Sequence, residues 1–98
     1  MLADLGVAGD EAVVAVVGPL TAQGAPELLA AVEVALTEHV DAVDIDLSDC
    51  ERVDLDGARA LERAAQRCAA AEVALAVRGA DRFVRHLVEG LRLDVPLD

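Results

Sequence analysis

Five carboxylates crowd into one short stretch of the chain: Asp44, Asp46, Asp49, Asp54 and Asp56. They gather around the carboxyl end of an expected parallel strand, where open α/β sheets place ligands, and an oxygen-rich set of this kind suits Mg²⁺ or Ca²⁺. No Ca²⁺-loop spacing is present, however, and Asp44 and Asp46 alternate with Val43, Ile45 and Leu47 as the solvent side of a strand would. We therefore expect no metal and no cofactor. Asp56 could in principle accept a phosphoryl group, but the chain has no lysine to complete such a site. Nucleophilic chemistry has less support still. There is no G-x-S-x-G elbow, and Ser48 stands with His39 and His86 only by composition. No enzyme is expected. Beyond the acids, Arg59, Arg63 and Arg67 recur every four residues and form one basic ridge on a helix. Arginine suits planar contacts with partner carboxylates, so the ridge reads as a docking surface, with a solvated helix face as the plainer alternative.

The elements that position these groups must come from a chain of 98 residues carrying 8 Lys+Arg against 19 Asp+Glu, a formal charge of -11. That length suits one domain, residues 1–98. Nucleic acid is excluded as a partner, because the chain has no basic footprint and no Trp or Tyr, and Phe83 is its only aromatic residue. The charge is uneven. Residues 1–51 hold 11 acids and no basic side chain, whereas residues 52–98 hold 8 acids and all 8 arginines, so one face or end is expected to be strongly acidic. Leu, Val, Ile and Phe supply 31 of the 98 residues, enough for an aliphatic core without staples. Cys50 and Cys68 read as reduced thiols packed as small hydrophobes, with a redox pair as the alternative. The N-terminal Met1-Leu2-Ala3-Asp4 has no basic n-region, and the longest apolar run, Ala12 to Val17, is too short to span a bilayer. These features predict a cytoplasmic protein with no direct membrane insertion.

Along the chain, Glu11–Val17 is a β-branched run closed by the breaker pair Gly18-Pro19, and Leu2–Val7 is a weaker strand that Gly9-Asp10 can join to it as a hairpin. A helix is expected from Pro26 to about Val40, starting as early as Thr21, with Leu28, Leu29, Val32 and Leu36 as its stripe. Ala42–Leu47 alternates as a strand. Gly57–Ala71 follows as a second helix, burying Ala58, Leu61, Ala65 and Cys68. Val73–Arg78 alternates again, with Val73, Leu75 and Val77 inward. A third helix is capped by Asp81, presents Phe83, Val84, Leu87 and Val88, and ends at Gly90; Leu93–Leu97 can add a short edge strand. The fold class is thus α/β: a mixed sheet of four to five strands, with an N-terminal antiparallel hairpin, the remaining strands parallel, and helices mainly on one face. The other face, carrying Asp44, Asp46, Ala74 and Ala76, is expected to meet solvent or a partner.

The segment from Asp46 to Leu61 reads DLSxCxxVDxDGxxxL. It resembles the D-L-S-x-x-x-x-[ILVM]-D-S-S-G-x-x-x-L signature of the STAS domain, the module shared by sulfate transporters and bacterial anti-sigma-factor antagonists. Val17-Gly18-Pro19-Leu20 is similar to that family's V-x-G-x-L turn, and Phe83-x-x-x-Leu87-x-x-x-Leu91 resembles its third helix, so the likeness spans about residues 11 to 93. The resemblance implies a regulator that binds a serine-kinase anti-sigma factor and is switched off when the second Ser of D-S-S-G is phosphorylated. Here the two Ser positions are Leu55 and Asp56, and Thr21 stands where an Asp often follows the turn.

Asp56 is expected at the N-cap of the second helix, where its carboxylate meets the free N–H groups and the positive end of the dipole. It supplies part of the charge a phosphoserine would bring, so it reads both as a cap and as a permanent imitation of the phosphorylated state. The expected function is non-enzymatic protein–protein binding through Asp54 to Arg67. The contact residues are Asp54, Leu55, Asp56, Gly57, Arg59, Arg63 and Arg67, flanked by Thr21 and Ser48. Two alternatives stand beside it: a STAS subunit of a membrane lipid-transport ATPase, partnered by transporter subunits, and a nucleotide or anion sensor at the second helix N-terminus. The acids Asp54 and Asp56 argue against an anion there.

Overall fold

Branched and alternating runs become strands, and the three- and four-residue stripes become helices, in the computed structural model, which describes residues 1–98. The order is β1 (Leu2–Ala8), β2 (Glu11–Val17), α1 (Ala25–Leu36), β3 (Ala42–Asp46), α2 (Leu55–Ala70), β4 (Ala74–Arg78) and α3 (Arg82–Gly90). The sheet runs β1-β2-β3-β4, with β1 antiparallel to β2 and the other pairs parallel. Gly9, at φ 64°, opens the two-residue loop between β1 and β2, the Gly-first arrangement of a type II′ turn.

Register decides what each side chain meets. The row Leu5–Val14–Ile45–Val77 crosses all four strands on the helix-covered face. Val14, Ile45 and Val77 in it are fully buried against Leu28 and Val32 of α1 and Leu61 and Cys68 of α2. Truncating a leucine or isoleucine of this cluster to alanine costs about 2–5 kcal/mol. The adjacent row Gly6–Val13–Asp44–Ala76 faces away from the helices, as the alternation predicts.

On that open face Asp44 departs from expectation. It is only 8% exposed, because Arg78 of β4 lies over it with Nη2 at 3.3 Å from Oδ2 and Val13 flanks it across β2. Alternation predicts the face of a strand residue but not what covers it from the next strand. Of the four to five strands expected, four form the sheet, and the optional fifth does not. Leu93–Leu97 contributes one isolated parallel bridge, Leu97 to Val77, with the Val77 N–H donating to the Pro96 carbonyl at 2.9 Å. Pro96 has no N–H, so the ladder cannot extend.

Helix boundaries shift for local reasons. α1 stops at Leu36, short of Val40, and His39 in a left-handed conformation (φ 56°) turns the chain so that Val40 is buried at the entry to β3. Asp81 caps α3 as expected, its Oδ1 accepting from the Val84 N–H at 2.9 Å. Gly90 does not supply the left-handed stop; Arg92 does, at φ 54°. Phe83 is 64% exposed rather than in the core. α3 docks through the four-residue row Val84–Val88, and that narrow face leaves Phe83 beside the contact.

Candidate functional site

Two loops at the carboxyl ends of β2 and β3 are laced into one platform. The Leu20 N–H donates to the Arg52 carbonyl at 2.8 Å, and the Asp54 N–H to the Leu20 carbonyl at 3.2 Å. Gly18 and Glu51 are joined in the same way, and Leu20 and Val53 form a parallel bridge with both side chains buried. This lacing sets the first turn of α2 beside the first turn of α1. Gly57 makes the approach possible: a Cβ at that position would lie 2.1 Å from the Leu20 carbonyl oxygen. Its role is therefore packing beneath the site, and it is buried.

The cap of α2 is Asp54, not Asp56. Asp54 sits outside the helix in an extended conformation and its Oδ1 accepts from the Gly57 N–H at 2.8 Å, while α2 begins at Leu55, two residues before the expected start. The expectation for Asp56 is corrected on geometry: it lies inside the first turn, exposed, with helical backbone, and touches the dipole without being the cap. Leu55 beside it is also exposed, at 42%.

From this turn a groove of about 360 Å³ runs between α1 and α2. Ala25, Pro26, Leu29 and Ala60 form its apolar lining, and Asp56, Arg59 and Arg63 its charged rim. Arg59 and Arg63 are exposed and make no ion pair within the chain. Arg67 differs. Its guanidinium grips Glu33 of α1, Nη2 to Oε2 at 3.0 Å, which raises the Arg67 pKa and holds the Glu33 carboxyl below its ordinary range. The predicted ridge of three is thus two free arginines and a third tied across the helices. The α1 wall was not anticipated from the sequence, since Leu29 read as core stripe; it is half-buried, with its outer edge in the groove.

Ser48 is not free either. Its N–H and its hydroxyl both donate to Asp46 Oδ1, the N–H at 2.9 Å, and these bonds hold the Asp46 carboxyl below its ordinary value. Thr21 stands half-buried at the mouth of the platform, its carbonyl accepting from Gly24 and Ala25 as α1 begins. The five acids of the expected cluster do not converge: Asp44 meets Arg78, Asp46 meets Ser48, Asp54 caps α2, and no three His, Cys, Asp or Glu side chains form a metal-ligating group. Cys50 and Cys68 are both free thiols whose pKa is pushed up by burial. No helix is long and apolar enough to cross a membrane.

A family model described as "Mlab, STAS domain" matches residues 3–97. Three solved structures share the architecture. An anti-sigma factor antagonist from Mycobacterium paratuberculosis is 24% identical over 97% of this chain and 82% of its own, with a TM-score of 0.79. A putative anti-sigma factor antagonist from Thermotoga maritima is 15% identical over 97% of this chain and 84% of its own, at 0.82. RsbS from Moorella thermoacetica, in a Ser-to-Glu variant, is 19% identical over 96% of this chain and 85% of its own, at 0.78. At these identities the likeness is one of fold. No curated protein matches by sequence.

Proposed function

The chain belongs to the STAS domain family, and from that premise we propose that it is a non-enzymatic regulatory module, one domain over residues 1–98, that binds another protein through the α1–α2 groove and the first turns of α2. Within the family its resemblance is to the anti-sigma-factor antagonists, and the partner is a serine-kinase anti-sigma factor or a related regulator. The observation that carries this reading is the α1–α2 groove with Arg59 and Arg63 unpaired at its rim, and the exposed Asp56 beside them holds its affinity for an acidic partner low. Because Asp54 already caps the helix, the Asp56 carboxylate is not consumed by the fold and stands at the rim of a groove with Arg59 and Arg63 unpaired. A fixed negative charge there repels or unpairs partner acids, as a phosphate would, and no hydroxyl is present to be modified or restored.

The contact set is Asp54 to Arg67, with Leu55, Asp56, Arg59 and Arg63 exposed along it and Thr21 and Ser48 at the margin; Gly57 and Arg67 support it from below and from the side. A second reading rests on the same missing hydroxyl. A STAS subunit of a membrane lipid-transport ATPase needs no phosphorylatable side chain, and position 56 provides none.

Affinity capture from cytoplasm and solubilised membranes, with wild type, Asp56→Ser and Arg59→Glu/Arg63→Glu as baits, separates these readings. Recovery of a kinase-type regulator, enriched on Asp56→Ser and lost on the double variant, supports the antagonist reading. Transporter subunits captured equally by wild type and Asp56→Ser support the second. A partner held equally by all three baits sinks the assignment of this face.

A further inference from the structure

The hairpin loop fixes which backbone groups of β1 are used. Gly9-Asp10 closes on the pair Ala8–Glu11, which is hydrogen-bonded in a two-residue hairpin. Alternation then turns the N–H and C=O groups of Leu2, Asp4, Gly6 and Ala8 towards β2 and those of Ala3, Leu5 and Val7 off the sheet. β1 is the sheet edge, and nothing else pairs with it. The devices that usually protect such an edge are missing: β1 has no Pro, no Lys or Arg, no bulge, and a single charge, Asp4. The hairpin also gathers exposed apolar side chains, Leu2 at 56%, Val7 at 44%, Val13 at 39% and Val17 at 43%.

We propose that this edge pairs with the β1 edge of a second copy of the chain, antiparallel about a two-fold axis at Leu5, so that two sheets join into one of eight strands. The sequence is self-complementary in that register. Leu5 faces Leu5 of the second copy, and Ala3 faces Val7; these are the three residues with outward backbone groups, so all of their donors and acceptors are used. The only charge on the strand, Asp4, faces Gly6 of the second copy rather than another acid, which avoids the like-charge clash that a chain of formal charge -11 otherwise risks. Leu2 lies opposite Ala8, adding apolar contact at each end. The net negative charge opposes association, so added salt strengthens the dimer.

Gly6 supplies the test. A Cβ there meets nothing within 4 Å in one copy, so a side chain at that position is tolerated by the monomer. Sedimentation equilibrium of the full chain, from micromolar to millimolar concentration, is run on wild type, Gly6→Asp and Gly6→Lys, with circular dichroism and thermal melts to confirm folding. Wild type is expected to dimerise reversibly and more tightly in higher salt. Gly6→Asp sets two like-charge pairs against Asp4 and weakens the dimer roughly tenfold, while Gly6→Lys sets two opposite-charge pairs there and tightens it. A wild type that stays monomeric throughout overturns the proposal, as does a shift of the same sign in both variants.

Discussion

Asp54 Oδ1 accepts the Gly57 N–H at 2.8 Å, and this bond assigns separate tasks to two acids only two residues apart in sequence. Asp54 ends the unpaired backbone of α2; Asp56 is left for solvent or a partner. Asp54→Ala is therefore expected to destabilise the fold by about 1 kcal/mol, and Asp56→Ala by less than about half of that, since it loses only an exposed dipole contact. Urea titration of both variants distinguishes them. Equal losses would return the cap to Asp56.

Gly57 inverts the usual rule for a helix. Glycine to alanine in a helix interior ordinarily stabilises by roughly 0.5–1 kcal/mol, but here the added methyl meets the Leu20 carbonyl oxygen at 2.1 Å. Gly57→Ala is expected to destabilise by roughly 1–3 kcal/mol as the two loops are forced apart. A melting temperature equal to or above wild type would contradict the lacing of Leu20 to α2.

Two helices stop on residues that pay a steric penalty for doing so. The Val73 N–H donates to the Cys68 carbonyl and the Glu72 N–H to the Ala69 carbonyl, with Glu72 left-handed at φ 59°. Leu93, Arg92, Val88 and Glu89 repeat that pattern at the end of α3. Both are Schellman motifs without the glycine that fits them, and a non-glycine residue in this conformation costs roughly 1–2 kcal/mol. Glu72→Gly and Arg92→Gly should each raise the melting temperature, despite the added freedom of the unfolded chain; a fall in both would show that the side chains outweigh the backbone.

Acid and base act oppositely on two carboxyls of the open sheet face. Glu11 is held above its ordinary value of 4.5 by the Asp44 carboxylate facing it, to which a protonated Glu11 can donate. Its favourable contribution is present in acid and disappears as pH rises through its folded value. Asp46 is held below 3.8 by Ser48, so its contribution is present at neutral pH and disappears as pH falls through its folded value. Glu11→Gln is thus expected to be more stable than wild type at neutral pH, and Ser48→Ala less stable. Both differences should shrink in thermal melts as pH falls below the ordinary carboxylate range.

Much of this was legible in the chain itself, because strand and helix periodicity and turn chemistry are local. The alternation of Val43, Ile45 and Leu47, the Gly9-Asp10 hairpin, the Asp81 cap and the D-L-S to D-G-x-x-x-L segment each depend on a few neighbouring residues, and together they fix a mixed sheet with helices on one face. What tertiary structure decided were the distances between residues far apart in sequence. Arg78 covers Asp44 because parallel register sets it on the same face, diagonally two residues beyond Ala76, the residue opposite Asp44; Glu33 captures Arg67 because α1 and α2 pack together; Leu20 reaches Gly57 because two loops pair. Which of two nearby acids caps α2 also fell to structure, since the Leu20 carbonyl takes the Asp54 N–H and holds that residue extended just before the helix begins. Residue types state what a side chain can do, and packing selects the partner with which it does so.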